Sequence, residues 1–326
     1  MRLLNTHTFK LRDFLGEARP YAILSHTWED EEVTLQDMLS PAEYATGMKG
    51  YRKLKGSAKL ASDQGFHYLW MDTCCIDKSS SAELSEAINS MFQWYKNAAL
   101  CLAYLSDVQA ETGLNLGESL QSSKWFTRGW TLQELLAPSE VWFFNASWKL
   151  IRTKTHLADQ IARITNIPAS ILKGLDDLDT VSAASKMSWA SSRITTRSED
   201  IAYCLLGLFD VKMPLLYGEG EQKAFIRLQE EFLKSSDDET IFAWQVDDRN
   251  EAASKPYWGL LATSPKYFLS SSTLRSPQFK SRIDNQPTDV TNRGLRIKLP
   301  MTLLDGDESE TIYLALLQCE RTEASL

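Results

Sequence analysis

Four short apolar runs punctuate the first half of the chain, each stopping at small, polar or aromatic residues. They are Tyr21-Ala-Ile-Leu-Ser25, His67-Tyr-Leu-Trp-Met-Asp72, Ala99-Leu-Cys-Leu-Ala-Tyr-Leu105 and Glu140-Val-Trp-Phe-Phe144. Apolar runs of this length without strict alternation are those of strands covered on both faces. Helical spacing fills the intervals. Residues 33–66 read as helical, with Leu54, Ala58 and Ala61 on one face and Gly65 as the stop, and Leu84, Ile88, Met91 and Tyr95 make a second stripe. The order strand–helix–strand–helix–strand–helix–strand predicts an α/β fold with a parallel sheet and flanking helices. Ahead of it, Thr8 to Leu11 alternates like an edge strand.

The third interval carries the stretch with the most chemical content, Ser122 to Pro138. We read it as one short helix, capped by Ser122 or Ser123 and ended by Pro138. Trp125, Leu132 and Leu136 fall on one side with Leu135 beside them, which points that side to a core. Thr127, Trp130 and Glu134 fall on the other. Trp130 and Glu134 are four apart, so the carboxylate and the indole sit one above the other. That pairing suits a substrate that is flat, cationic and bonded to a sugar. The plain alternative is a solvated glutamate and a packing tryptophan.

In open α/β sheets the loops at the carboxyl ends of strands build the ligand crevice. That rule makes His26, Trp28, Asp72 and Asp107 candidates, since each lies at or just after a strand end. The plain alternatives are a satisfied core histidine, a packing tryptophan and loop-capping aspartates.

After residue 150 the pattern changes twice. Residues 151–240 read as a helical extension, with helices over His156–Ile164, Glu199–Gly207 and Lys223–Phe232. Residues 241–326 alternate or run apolar at Ile241–Trp244, Trp258–Leu261, Gly294–Leu299 and Thr311–Cys319, as in a small β-rich module. Gly218-Glu-Gly-Glu221 lacks the Gly-Lys-Ser/Thr ending of a phosphate loop and reads as a turn and helix start.

Composition narrows the function. The 326 residues are 43% hydrophobic and 24% charged, with a formal net charge of −8, which argues against a protein that coats nucleic acid or an anionic membrane. The basic cluster Lys49, Arg52, Lys53, Lys55 and Lys59 reads as a solvated helix face. No run is apolar enough to span a bilayer and no signal-peptide pattern opens the sequence. Five scattered cysteines and four histidines have neither disulfide-framework nor metal spacing. We expect a reduced, metal-free, cytoplasmic protein.

Three separated strings share one pattern. Tyr21-Ala-Ile-Leu-Ser-His-Thr-Trp28, Trp70-Met-Asp-Thr-Cys-Cys-Ile-Asp77 and Arg128-Gly-Trp-Thr-Leu-Gln-Glu134 resemble the fungal heterokaryon-incompatibility (HET) domain over about residues 18–145. Arg193–Phe209 with Met213–Gly220 resembles the extension that follows the domain in one large subgroup. The resemblance implies a domain over residues 1–150 with a flavodoxin/TIR-like parallel sheet, because HET domains are held to be distant relatives of Toll-receptor (TIR) domains. Many TIR domains cleave NAD+ with a glutamate on the helix after the third strand and a tryptophan four residues before it. By order of elements these are Glu134, as the catalytic residue, and Trp130. The family motifs also nominate Ser25, His26, Trp28, Asp72, Cys75 and Arg128 as ligand-binding residues, with Thr73–Ser81 as the gating loop. The arginine that enzymatic TIR domains carry right after the first strand is missing here.

The resemblance thus implies an incompatibility and cell-death effector acting as an NAD+ glycohydrolase, with NAD+ as substrate and no resident cofactor. Self-association is expected to accompany activity, an upstream sensor protein to trigger it, and residues 150–326 to restrain it. Two other classes fit the same residues: a non-catalytic self-associating signalling module, and a domain that binds a nucleotide without turning it over.

Overall fold

A computed structural model describes residues 1–16, 19–40, 45–109, 116–255, 257–277, 288–304 and 312–321. Contacts divide the chain into two units, residues 1–176 and 177–326.

The first unit is built on a seven-stranded sheet. Its strands are β1 (Arg2–Asn5), β2 (Leu11–Asp13), β3 (Ala22–His26), β4 (Tyr68–Trp70), β5 (Leu100–Tyr104), β6 (Val141–Phe144) and β7 (Leu150–Thr153), in the order β2-β1-β4-β3-β5-β6-β7. The inner four, β4-β3-β5-β6, are parallel. They are the four runs read from the sequence, and every residue of β3 is buried. Taken in chain order the inner strands lie 2-1-3-4, the flavodoxin-like arrangement. Antiparallel β7 closes one edge and the β1–β2 hairpin the other.

The helices α1 (Leu35–Leu39), α2 (Gly50–Asp63), α3 (Asp72–Cys75), α4 (Ser81–Asn97), α5 (Leu116–Gln121), α6 (Thr131–Leu136) and α7 (Lys154–Thr165) flank this sheet. In α2, Leu54, Ala58 and Ala61 are fully buried, and Gly65, just past the end, has φ +84°, which a side chain would strain. α4 begins at Ser80, whose hydroxyl accepts the Glu83 N–H, and it buries Ile88, Met91 and Tyr95.

Several local expectations are corrected. Thr8 to Leu11 is not a strand: only Leu11 enters β2, and Phe9 turns the hairpin at φ +56°. Residues 33–66 are not one helix: α1 and α2 are separate, with further helical residues at 45–46 between them and 41–44 outside the described residues. Residues 108–121, which read from the sequence as a Gly- and Ser-containing loop, end in the helix α5, with 110–115 outside the described residues. The stretch from Ser122 to Pro138 is two pieces, a 3₁₀ turn over Lys124–Thr127 and then α6. Arg128 between them is extended (φ −80°, ψ 139°). The break holds because the Thr131 hydroxyl donates to the carbonyls of Trp125 and Arg128, which a continuous helix would have bonded through N–H groups.

In the second unit the expected helix over 199–207 is only Asp200–Tyr203 followed by a 3₁₀ turn at Leu206–Leu208. A longer helix runs Glu221–Leu233. The turn before it is the one read from the glycines: Gly218 (φ +101°) and Gly220 (φ +85°) both donate their N–H to Glu199 Oε1, at 2.8 and 3.0 Å. These two bonds help hold the Glu199 carboxyl down at about 2. Of the expected C-terminal strands, Gly294–Arg296 pairs with Asp289–Thr291 and Ile312–Ala315 with Met301–Leu304. Ile241 and Phe242 instead end a 3₁₀ turn over Glu239–Phe242 capped by Asp238, and neither Ile241–Trp244 nor Trp258–Leu261 forms a strand.

Candidate functional site

The crevice expected of this sheet lies outside the carboxyl ends of β3 and β5, where the strand order reverses. β3 ends in Ser25 and His26, and their side chains meet two adjoining clusters.

Ser25 is the centre of the first. The Trp125 indole N–H donates to Ser25 Oγ at 2.8 Å, and Ser25 Oγ in turn donates a short hydrogen bond to Glu134 Oε2. Glu134, in the first turn of α6, is 7% exposed. The expectation that Glu134 faces away from the Trp125 side is corrected: both side chains meet at Ser25, and Glu134 is buried, as are Leu132 and Leu135. Tyr95 reaches the same carboxyl from α4 while its hydroxyl donates to the Leu24 carbonyl at 3.0 Å. Burial raises the Glu134 carboxyl to about 8; Ser25 and Tyr95 oppose the rise, Asp72 adds to it, and the Arg128 charge pulls it down. At neutral pH the acid is therefore mostly protonated in the free protein.

The second cluster surrounds Asp72, at the start of α3. The Trp28 indole N–H donates to Asp72 Oδ2 at 2.8 Å, and Lys78 Nζ approaches the same oxygen at 3.6 Å. His26 is buried with Nε2 3.9 Å from Asp72 Oδ1 and 3.8 Å from Glu32 Oε1, beyond hydrogen-bond range of both. Burial lowers His26 to about 4, with Asp72 opposing, so the ring is neutral at physiological pH. Burial pushes the Asp72 carboxyl up, but Lys78, His26 and the Trp28 N–H together outweigh it and the net shift is downward. Behind this cluster Lys53 forms a short ion pair with Glu32, adds Glu29 at 3.2 Å, and donates to the Thr27 carbonyl at 3.1 Å. Lys53 is thus buried and neutralised, a correction to its reading as part of a solvated basic face.

Of the sequence candidates, Ser25, His26, Trp28, Asp72 and Glu134 come together, with Arg128 in electrostatic reach of Glu134. Trp130 is half-buried, in helical conformation one turn before Glu134. Cys75 is not among them: it is buried against β1, where its carbonyl accepts from Arg2 at 3.5 Å. Sequence reasoning missed Tyr95, Glu32, Lys53 and Lys78 as site residues and gave Trp125 only a packing role. The polar run Lys78-Ser-Ser-Ser81, inside the loop Thr73–Ser81 that the resemblance marks as gating, is the local signal that places Lys78 ahead of α4.

Among the described residues no group of three or more His, Cys, Asp or Glu side chains is placed to hold a metal, and no helix is long and apolar enough to cross a membrane. A cavity of about 220 Å³ lies in the second unit, lined by Asp179, Lys186, Phe209, Phe232 and Asp238 among others. It belongs to neither cluster.

A flavodoxin-like strand order, with a buried acid and an aromatic–carboxylate cluster beyond the carboxyl ends of its parallel strands, defines an α/β protein whose polar clusters lie where such sheets collect ligands. Comparison with known proteins gives the family: residues 21–120 match the family model for Heterokaryon incompatibility protein (HET). Over 240 residues the chain is 45% identical to Vegetative incompatibility protein HET-E-1 of Podospora anserina, covering 72% of this chain and 17% of that one. The chain carries a HET domain and spans about a sixth of that relative's length. No solved structure matches it.

Proposed function

We propose that the chain is an incompatibility effector whose first unit cleaves NAD+ between nicotinamide and ribose. The observation that carries the reading is the Glu134 carboxyl, buried at the sheet's reversal point and oriented by Ser25. In this reaction the bond from ribose C1′ to the ring nitrogen breaks, its electron pair neutralises the pyridinium, and water completes the sugar. The ring leaves neutral, so no acid is needed at the leaving group and the paired carboxylates of ordinary glycosidases are not required. The reaction needs a carboxylate in a dry site to hold the ribose hydroxyls and face the developing oxocarbenium charge. Glu134 fills that role once the positive charge of the substrate lowers its pKa and its proton passes to water. Trp130, one turn before it, would stack on a ring of the substrate. The incompatibility role rests on the HET domain and on the relative's name; cell death is its proposed outcome.

Glu134→Gln keeps the shape of the side chain and removes the charge. We expect it to fold as the wild type does and to lower NAD+ loss on the order of 10²-fold or more. Chromatography of cellular NAD+ and its products, after inducing either protein, is the test. Equal NAD+ in the two, with both demonstrably folded and assembled, ends this reading. Nucleotide binding without turnover is favoured by the burial of Glu134, which raises its carboxyl to about 8 and disfavours the charge that catalysis needs; calorimetry with NAD+ and ADP-ribose separates the two.

A further inference from the structure

We infer that Trp28 and Asp72, backed by His26, form a receptor for a flat organic cation, and that the Lys78 side chain is its built-in occupant. Lys78 Nζ sits 3.3 Å from the centroid of the Trp28 ring and 3.6 Å from Asp72 Oδ2. An indole face and a carboxylate are the two surfaces that hold a cation away from water. The box is prebuilt, because the Trp28 N–H is bonded to Asp72, which fixes the ring against the acid.

Lys78 fits the box poorly. An ammonium is a compact, strongly hydrated charge with three donors, yet the buried Nζ of Lys78 makes no hydrogen bond. Burial lowers its pKa, with Asp72 opposing, so the charge itself is held at a cost. A second group is also unsatisfied: His26 Nε2 is buried, unbonded, and faces Asp72. Being neutral, the imidazole does not repel a cation in the box.

A pyridinium carboxamide answers these features together. Its delocalised charge needs no hydrogen bonds, its face matches the indole, and its carboxamide offers both a donor and an acceptor to His26 Nε2 in either tautomer. Naming the nicotinamide end of NAD+ as the natural occupant rests on the function proposed above; the receptor itself does not. Displacing Lys78 need not unfold the loop. Asp77 beside it accepts the Ser79 N–H and the Gln36 side-chain amide, both at 3.0 Å, which anchors the backbone while the lysine side chain swings out. Lys78 therefore acts as a self-inhibitory plug at the cation site.

The probe is the methylnicotinamide cation, methylated on the ring nitrogen, which has no glycosidic bond to cleave. It is titrated into the full chain by calorimetry, with neutral nicotinamide as the control. Lys78→Gln should bind the cation on the order of 10-fold more tightly than wild type, from the desolvated cation–π contact it no longer has to displace. Adding Trp28→Leu or Asp72→Asn to Lys78→Gln should remove that gain. A Lys78→Gln protein that binds the cation no more tightly than wild type overturns the proposal. So does an equal gain for neutral nicotinamide, and this comparison decides even if the double variants do not fold. A gain in cation binding with NAD+ left intact keeps the receptor and removes the cleavage reading. NAD+ loss that depends on Glu134 with no gain in cation binding does the reverse.

Discussion

The proton on Glu134 is the residue-scale quantity on which the chemistry turns. Its carboxyl, raised by burial to about 8 from an ordinary value near 4.5, is charged only above that point in the free protein. Because the charged form is the one that stabilises an oxocarbenium, kcat/KM for NAD+ loss should climb with pH through about 8 and level off above it. A flat profile between about pH 6 and pH 9 would remove Glu134 from that role. Ser25→Ala takes away a bond that favours the ionised acid, so the climb should move up by about one pH unit or more. The same shift has a stability sign. A carboxyl whose pKa is raised on folding contributes stability that is complete below its unfolded value and is lost as pH rises through about 8. Wild-type Tm should therefore fall more between about pH 6 and pH 9 than the Tm of Glu134→Gln, which has no proton to release. Parallel falls would mean that the acid is not buried in the native state.

At the scale of elements, the junction between the loop after β3 and the start of α2 holds the second cluster in place. Gly50 donates its N–H to the Glu31 carbonyl at 3.1 Å, and a Cβ there would lie 2.6 Å from that oxygen and 2.9 Å from the Glu32 Cα. Gly50→Ala must push Glu32 away from Lys53, and should cost about 1–3 kcal/mol in urea unfolding; a cost under about 0.5 kcal/mol would mean that the junction yields freely. The parallel strands and α2 were legible in the sequence because each is a local pattern: a bare apolar run, or Leu54, Ala58 and Ala61 at helical spacing. The pairing of Glu134 with Ser25 was not, since 109 residues separate them and periodicity reads any helical glutamate as solvated. Lys53 misled for the same reason, its partner Glu32 being 21 residues away across the junction. The break at Arg128 escaped because a side-chain hydroxyl, that of Thr131, took bonds which helix propensity assigns to the backbone. Ser25, His26, Trp28 and Asp72 nonetheless lie together because each sits at or just after a strand end, which local patterns do reveal and where such sheets collect ligands.

For the whole molecule, the division at residues 176 and 177 makes a prediction about what the first unit needs. A boundary drawn at residue 150 would discard β7 and α7. β7 covers the outer edge of β6 with antiparallel pairing from Trp142 to Phe144, and α7 supplies Lys154. That lysine is buried, and its Nζ donates to the Leu135 carbonyl at 3.3 Å and the Pro138 carbonyl at 2.6 Å. It thereby caps the end of α6, the helix that carries Glu134, with a positive charge where the helix dipole is negative. Residues 1–176 should be soluble and unfold in one cooperative thermal transition, whereas residues 1–149 should be insoluble or melt without cooperativity, from the exposed β6 edge and the lost cap. In the full chain, Lys154→Met should keep the packing but uncap α6, lowering Tm by several degrees and NAD+ loss with it. Equal behaviour of the two truncations would show that the sheet is complete at β6. If residues 1–176 consume NAD+ faster than the full chain at equal concentration, the second unit restrains the first; if they are slower, it supports it.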